Sequence, residues 1–209
     1  MMTNVGGLAS PTNFMVTIAP PRGLNITSLA PNNNEGAIGN KMNASMMKTL
    51  AFMCHVANLP GIYLTSHDTL RYGYGPAEKF PHLAGFNALN LVFYFDQKTL
   101  VYDFFTAWLK LIVNHDMRKG IQAGSGVQQG QTPYEVSYKS EYATEIDIQL
   151  FSKTNKVIKR VVCLEAFPMM VTDIPLNWEA VDSMMKCHVV IAYRDWYDAD
   201  RLIQKRPTQ

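Results

Sequence analysis

Between residues 142 and 167 the chain reads YATEIDIQLFSKTNKVIKRVVCLEAF, and this stretch constrains the fold more than any other. Ile146, Ile148 and Leu150 alternate with Glu145, Asp147 and Gln149, so an extended strand here puts its apolar groups on one face and its polar groups on the other. Lys153, Thr154 and Asn155 fit a short turn, with Asn155 suited to the left-handed conformation. Residues 156–167 then return as the partner strand. A hairpin with one apolar face needs a second layer to cover it.

The rest of the chain offers that layer. In KTLVYDFFTAWLKLIVNHD, residues 98–116, the apolar positions are Val101, Phe104, Phe105, Trp108, Leu111 and Ile112. They form the stripe of an amphipathic helix, with Asp103, Thr106 and Lys110 largely off it. Burying six such side chains, at roughly 1.5–3 kcal/mol each, makes this helix a main contributor to the core. FNALNLVFYFD (86–96) is aromatic and branched enough for a largely buried strand. IYLTSHDTLRYGYG (62–75) alternates until its glycines and Pro76 stop it, and residues 48–57 suit a further strand before the Pro60-Gly61 turn. The final stretch, DIPLNWEAVDSMMKCHVVIAYRDW (173–196), is a loop feeding a closing strand. Cys187, Val189, Ile191 and Tyr193 take one face of that strand, and Lys186, His188 and Arg194 the other.

Two segments lack this patterning. Residues 1–45 read as an N-terminal arm: one apolar run, Phe14 to Ile18, ends at Pro20-Pro21, and an Asn/Gly-rich stretch follows. Residues 117–133, MRKGIQAGSGVQQGQTP, read as a flexible loop. The expected organisation is an arm (1–45), a β domain (46–197) and a C-terminal tail (198–209).

Composition narrows the function. Only 17% of the 209 residues are charged, against roughly 25% in an average soluble domain. Neutral surface and surface buried against other subunits both fit that shortage. A formal net charge of +2 demands no polyanionic partner, and the short basic clusters read as solvated surface. Three widely spaced cysteines, Cys54, Cys163 and Cys187, each in an apolar run, read as buried free thiols. The N-terminus carries no secretory pattern, and no stretch approaches the roughly 20 apolar residues of a membrane span.

Enzyme chemistry leaves no trace. Five histidines show no zinc spacing, AGSGVQQG lacks the Lys and Ser/Thr of a P-loop, and Ser10 does not sit in GxSxG. No catalytic residue, metal ligand or cofactor site is assigned. A remaining alternative from another class is a small-molecule binder or enzyme with an aromatic pocket around Tyr63, Tyr72, Tyr74 and Phe93.

The order of these elements resembles the tail tube proteins of contractile-tailed bacteriophages, which relate in fold to type VI secretion tube proteins. The resemblance covers residues 46–197. It rests on Leu59-Pro60 in ANLPGIYL, Trp108 in the helix, Phe167-Pro168, Ile174-Pro175 with Trp178, and Tyr193 with Trp196. It implies a mainly β subunit with one principal α-helix, a β-sandwich or split barrel with an extended N-terminal arm, in hexameric rings that stack into a tube.

The implied partners are other copies of the chain, sheath protein, tape-measure protein, and baseplate and tail-terminator proteins. DNA would pass through the channel without specific binding, in a virion tail assembled in the host cytoplasm, with no membrane insertion. A baseplate or tube-end protein sharing the core is the alternative. The resemblance makes the final strand the last barrel strand, with Trp196 marking where the chain leaves the ring. A channel that lets phosphates slide is better lined by neutral or acidic groups than by Lys and Arg. Glu141, Glu145, Asp147 and Gln149 are therefore the candidate lumen-facing residues. Gly124, Gly126 and Gln128 in the loop, and Asn33 and Asn34 in the arm, are the candidate inter-subunit or inter-ring residues.

Overall fold

The computed structural model describes residues 10–24, 39–70, 73, 75–113, 134–178 and 184–199. In chain order the elements are β1 (Phe14–Ile18), α1 (Gly39–Met53), β2 (Cys54–Ala57), β3 (Ile62–Thr69), β4 (Glu78–Phe86) and β5 (Leu89–Tyr94). They continue with α2 (Leu100–Ile112), α3 (Lys139–Tyr142), β6 (Thr144–Phe151), β7 (Val157–Val171), β8 (Lys186–Ala192) and β9 (Asp195–Asp198). A seven-stranded sheet follows the path β1-β6-β7-β8-β5-β2, with β9 off that path on β7; β3 and β4 make a separate two-stranded sheet.

The β6–β7 hairpin forms as its alternation requires. Ile148 pairs with Val161 and Ile146 with Cys163, on the buried face. The turn between them places Asn155 at φ 57, the left-handed conformation its short polar side chain tolerates.

β7 then serves two half-sheets. Its first part pairs with β6 and β9, and its last part with β8. The change occurs at a bulge: Thr144 faces Ala166 while Ile146 faces Cys163, so Leu164 and Glu165 together stand opposite Glu145. Glu165 sits at φ 51. Such a bulge bends a strand and sharpens its twist, which is how strands turn the corner between packed sheets. The partner strand breaks at the same level, between β8 and β9, where the Arg194 amide donates to the Leu164 carbonyl at 3.0 Å.

The two halves close over one core. Val16 and Ile18, Leu91 and Phe93, Ile146 and Ile148, and Val189 and Ile191 point inward against Val101, Phe104, Phe105 and Trp108 of α2. Trp108 is completely buried, and its indole N–H donates to the Tyr142 carbonyl at 2.8 Å, so the largest core side chain leaves no unmet donor. Phe104 meets Phe105 and Trp108 edge-on, at 5.2 and 5.7 Å between centroids. β1 and β2, at the two ends of the path, approach one another without pairing, and α1 packs along β1 and touches β2. The result is an open β-sandwich, a barrel split along one seam. The mainly β class and the α2 stripe are as expected.

Three expectations need correction. Residues 48–53 are helix, and only Cys54–Ala57 of the anticipated 48–57 strand is extended. Met46, Met47, Leu50 and Met53 recur at helical spacing and face the core. The chain therefore has two substantial helices rather than one, since α1 spans 15 residues and α2 spans 13.

The arm is also shorter than residues 1–45. Phe14–Ile18 pairs antiparallel with β6 and buries Val16 and Ile18, so the β domain begins near residue 14. Pro168 lies inside β7, buried at a register shift. Trp196 lies in β9, pairs with Cys163 of β7 and packs on the core.

The three cysteines are free thiols, as expected, with Cys163 and Cys187 buried. Burial pushes the Cys54 and Cys163 thiols up to about 12.

Because Phe104 is fully buried between two aromatic rings, Phe104→Ala is expected to cost about 3–5 kcal/mol of unfolding free energy. Urea denaturation of the purified protein measures it; a loss below about 1 kcal/mol contradicts this packing.

Candidate functional site

Surfaces, rather than a cavity, carry the distinguishing chemistry. The first is the polar face of β6. Glu145 is exposed there, and Asp147 and Gln149 are half-buried, alternating on one side as the sequence requires. Asp147 is not a free acid. Its Oδ2 accepts from Arg160 Nε at 2.8 Å and Nη2 at 2.7 Å, and from Gln149 Nε2 at 2.9 Å. Charge on this face is therefore compensated across the hairpin, leaving Glu145 as its open carboxylate. Glu141 is separated from the other three, because it lies in α3, where its carbonyl accepts the Gly23 amide at 2.9 Å.

The second surface is the β3–β4 hairpin. All eight β3 residues are exposed, as are the first seven of β4. Register places Ile62 with Phe86 and Leu64 with Ala84 on one face, and Thr65 with Leu83 and His67 with Phe80 on the other. Leu64 is 67% exposed and Leu83 58%, so both faces present apolar groups to water. Tyr63 pairs with Gly85, and its ring fills the space a Cβ on Gly85 would need. Covering a strand glycine with an aromatic ring gives the ribbon some local order. A lone two-stranded sheet is nevertheless marginal in water.

The third feature is the corner of β7. The Glu165 carboxylate bonds Arg194 through one oxygen and Lys139 through the other. The hydrogen bond from Lys139 and the charges of Arg194 and Lys139, with burial opposing, hold the Glu165 carboxyl below its ordinary 4.5. No periodic signal in the sequence marks this trio. The one hint is a glutamate interrupting the apolar run VVCLEAF.

The two described residues of the expected aromatic pocket, Tyr63 and Phe93, are not brought together. Tyr63 lies on the exposed hairpin, whereas Phe93 is in the core, 5.1 Å from Phe105 between centroids. Tyr72 and Tyr74 lie outside the described residues, as do Gly124, Gly126, Gln128, Asn33 and Asn34. Among the described residues no three His, Cys, Asp or Glu groups converge as metal ligands, and no helix is long and apolar enough to cross a membrane.

Among the described residues, an open β-sandwich packs over a buried helix and leaves a two-stranded ribbon exposed. The chain belongs to the phage tail tube protein family, whose model matches residues 9–199. The match includes β1, in keeping with that strand's place in the sheet. Tail tube proteins are structural components of the tail and not enzymes, which accounts for the missing catalytic motifs.

Two solved structures share the fold. One is a chain of the six-fold-symmetrised anti-feeding prophage baseplate, 10% identical, with 93% of this chain and 97% of that chain covered and a TM-score of 0.51. The other comes from the sheath/tube terminator of an extracellular contractile injection system, PVC, in the extended state; it is 13% identical, with 93% and 98% covered and a TM-score of 0.51. No curated protein matches the sequence.

The Glu165 arrangement gives a pH-dependent expectation. Its folded-state acidity lies below that of the unfolded chain, so its stabilisation is present above pH about 4.5 and lost as pH falls through the folded value. Glu165→Gln is expected to be less stable than the parent at neutral pH, with the gap closing in acid. Urea midpoints measured across the acid range check this; a gap independent of pH contradicts it.

Proposed function

We propose that this chain is the repeating subunit of a tail tube, in hexameric rings that stack into a hollow conduit for tape-measure protein and DNA. The observation that carries the reading is the β3–β4 hairpin. It is a ribbon with apolar groups on both faces, which no other described residue covers. A tube provides the cover at no cost in new partners, because each copy meets identical copies in the ring and in adjacent rings. The open ends of the strand path at β1 and β2 support the same reading, since unpaired edges are protected when neighbouring subunits close around an axis.

In this reading the polar face of β6 lines the channel. Glu145, Asp147 and Gln149 present one open carboxylate, one carboxylate already paired with Arg160, and an amide. DNA phosphates find no unpaired cation among these side chains and release few counterions there, so the polymer slides. Glu141, on α3, is a further candidate for the channel lining, and the segments containing Asn33, Asn34, Gly124, Gly126 and Gln128 contribute to contacts between subunits or rings. Sheath protein covers the outside, baseplate and tail-terminator proteins hold the two ends, and assembly takes place in the host cytoplasm.

Negative-stain electron microscopy of the purified protein over a concentration series tests the proposal, alongside a Leu64→Lys/Leu83→Lys variant. The parent is expected to form hollow tubes. The variant, altered only on the exposed hairpin, is expected to keep its fold and lose the long polymer. Discrete single rings from the parent would favour a tube-end or baseplate role instead. A parent chain that stays monomeric at every concentration, or a variant that polymerises like the parent, contradicts the proposal.

A further inference from the structure

The corner of β7 is held by more than backbone pairing. Glu165 occupies φ 51, which a side chain with a Cβ resists and glycine adopts freely. What glutamate adds over glycine at this position is its carboxylate, and both oxygens are engaged. One is bonded by Arg194, at the joint between β8 and β9, and the other by Lys139, at the start of α3. One side chain therefore ties together the bend in β7, the break in its partner strand, and the helix whose Tyr142 carbonyl receives the Trp108 indole N–H.

The buried side of the same corner is less settled. The Tyr193 hydroxyl and Trp196 Nε1, flanking the β8–β9 joint, are buried without a hydrogen-bond partner among the described residues. Backbone pairing holds the joint from within the sheet, and the outer clamp adds a side-chain constraint on its angle.

We infer that Glu165 is a positioning residue that fixes the angle between the two half-sheets and, through it, the curvature with which copies of the chain close into a ring. The inference rests on the ring-subunit reading proposed above. Closure is sensitive to small angles: six copies each turn the ring by about 60° and five by about 72°, so about 12° per subunit separates the two. Neighbouring strands in sheets vary in twist over roughly 10 to 35°. Releasing a strand corner is therefore enough to change the ring.

Four variants of the full chain test it: Glu165→Gln, Glu165→Gly, Arg194→Gln and Arg194→Lys. Glu165→Gln removes the charge and keeps the strained backbone, whereas Glu165→Gly removes the charge and relieves it. Glu165→Gly is thus expected to recover the thermal stability that Glu165→Gln loses, yet to share its altered particles. Both, with Arg194→Gln, are expected to give rings or tubes of changed or mixed diameter by electron microscopy. The Arg194 amide should exchange hydrogen at least about tenfold faster in the two Glu165 variants. Arg194→Lys, which keeps a cation, is expected to retain the parent diameter.

A purely structural role would make diameter follow stability, with Glu165→Gly like the parent. That result, or Glu165→Gly and Arg194→Gln particles of parental diameter, overturns the inference. Unchanged exchange at the corner overturns the clamp by itself, in the subunit and without reference to particles. A parent chain that forms no particles overturns the ring reading and the curvature claim together.

Discussion

The structure depends on one strand turning a corner. β7 has enough residues to serve two half-sheets, and it does so because Leu164 and Glu165 bulge opposite a single residue of β6. Without that bend the β6 side and the β5–β8 side would continue as one extended sheet, with its apolar face open. With it, Ile146 and Ile148 on one half face the same core as Leu91, Val189 and Ile191 on the other. α2 fills the space between them with two phenylalanines and a fully buried tryptophan. The left-handed conformation at Glu165 is the local cost of this geometry, and the bonds to Lys139 and Arg194 offset it.

The same economy explains where the chain leaves apolar surface uncovered. Among the described residues, the buried core is drawn from β1, β5–β8 and the two longer helices, and no residue of the β3–β4 ribbon belongs to it. A monomer has no use for a ribbon with Leu64 on one face and Leu83 on the other. In the proposed tube each copy meets identical copies, which can cover the ribbon. The low charge of the chain fits that arrangement, since charged groups are the ones that interface cores exclude.

Much of this was legible from residue order, and the remainder had physical reasons for being hidden. β6, β8 and α2 announce themselves because each has one buried face, so the period of the apolar residues reports the element directly. α1 was misread because a short apolar run such as MMKTLAFM suits both periods until its partners are known. β1 is five residues between polar and proline-containing stretches; only its pairing with a strand about 130 residues later, Val16 with Ile148, makes it part of the core. The corner was hidden for a related reason, as a glutamate in the left-handed region is set by tertiary context and not by propensity. Of the four lumen candidates, alternation correctly grouped Glu145, Asp147 and Gln149. It did not reveal that Arg160 neutralises Asp147, or that Glu141 falls on α3.

The central claim is that the exposed ribbon is covered by other copies of the chain, and hydrogen–deuterium exchange tests it most directly. Exchange would be followed for the same protein as dispersed subunits and as assembled particles. The account predicts that amides of Ile62–Thr69 and Glu78–Phe86 slow markedly on assembly, while those of β6 and β8, already protected in the subunit, change little. Hairpin amides that exchange as fast in the particles as in the subunit would contradict it.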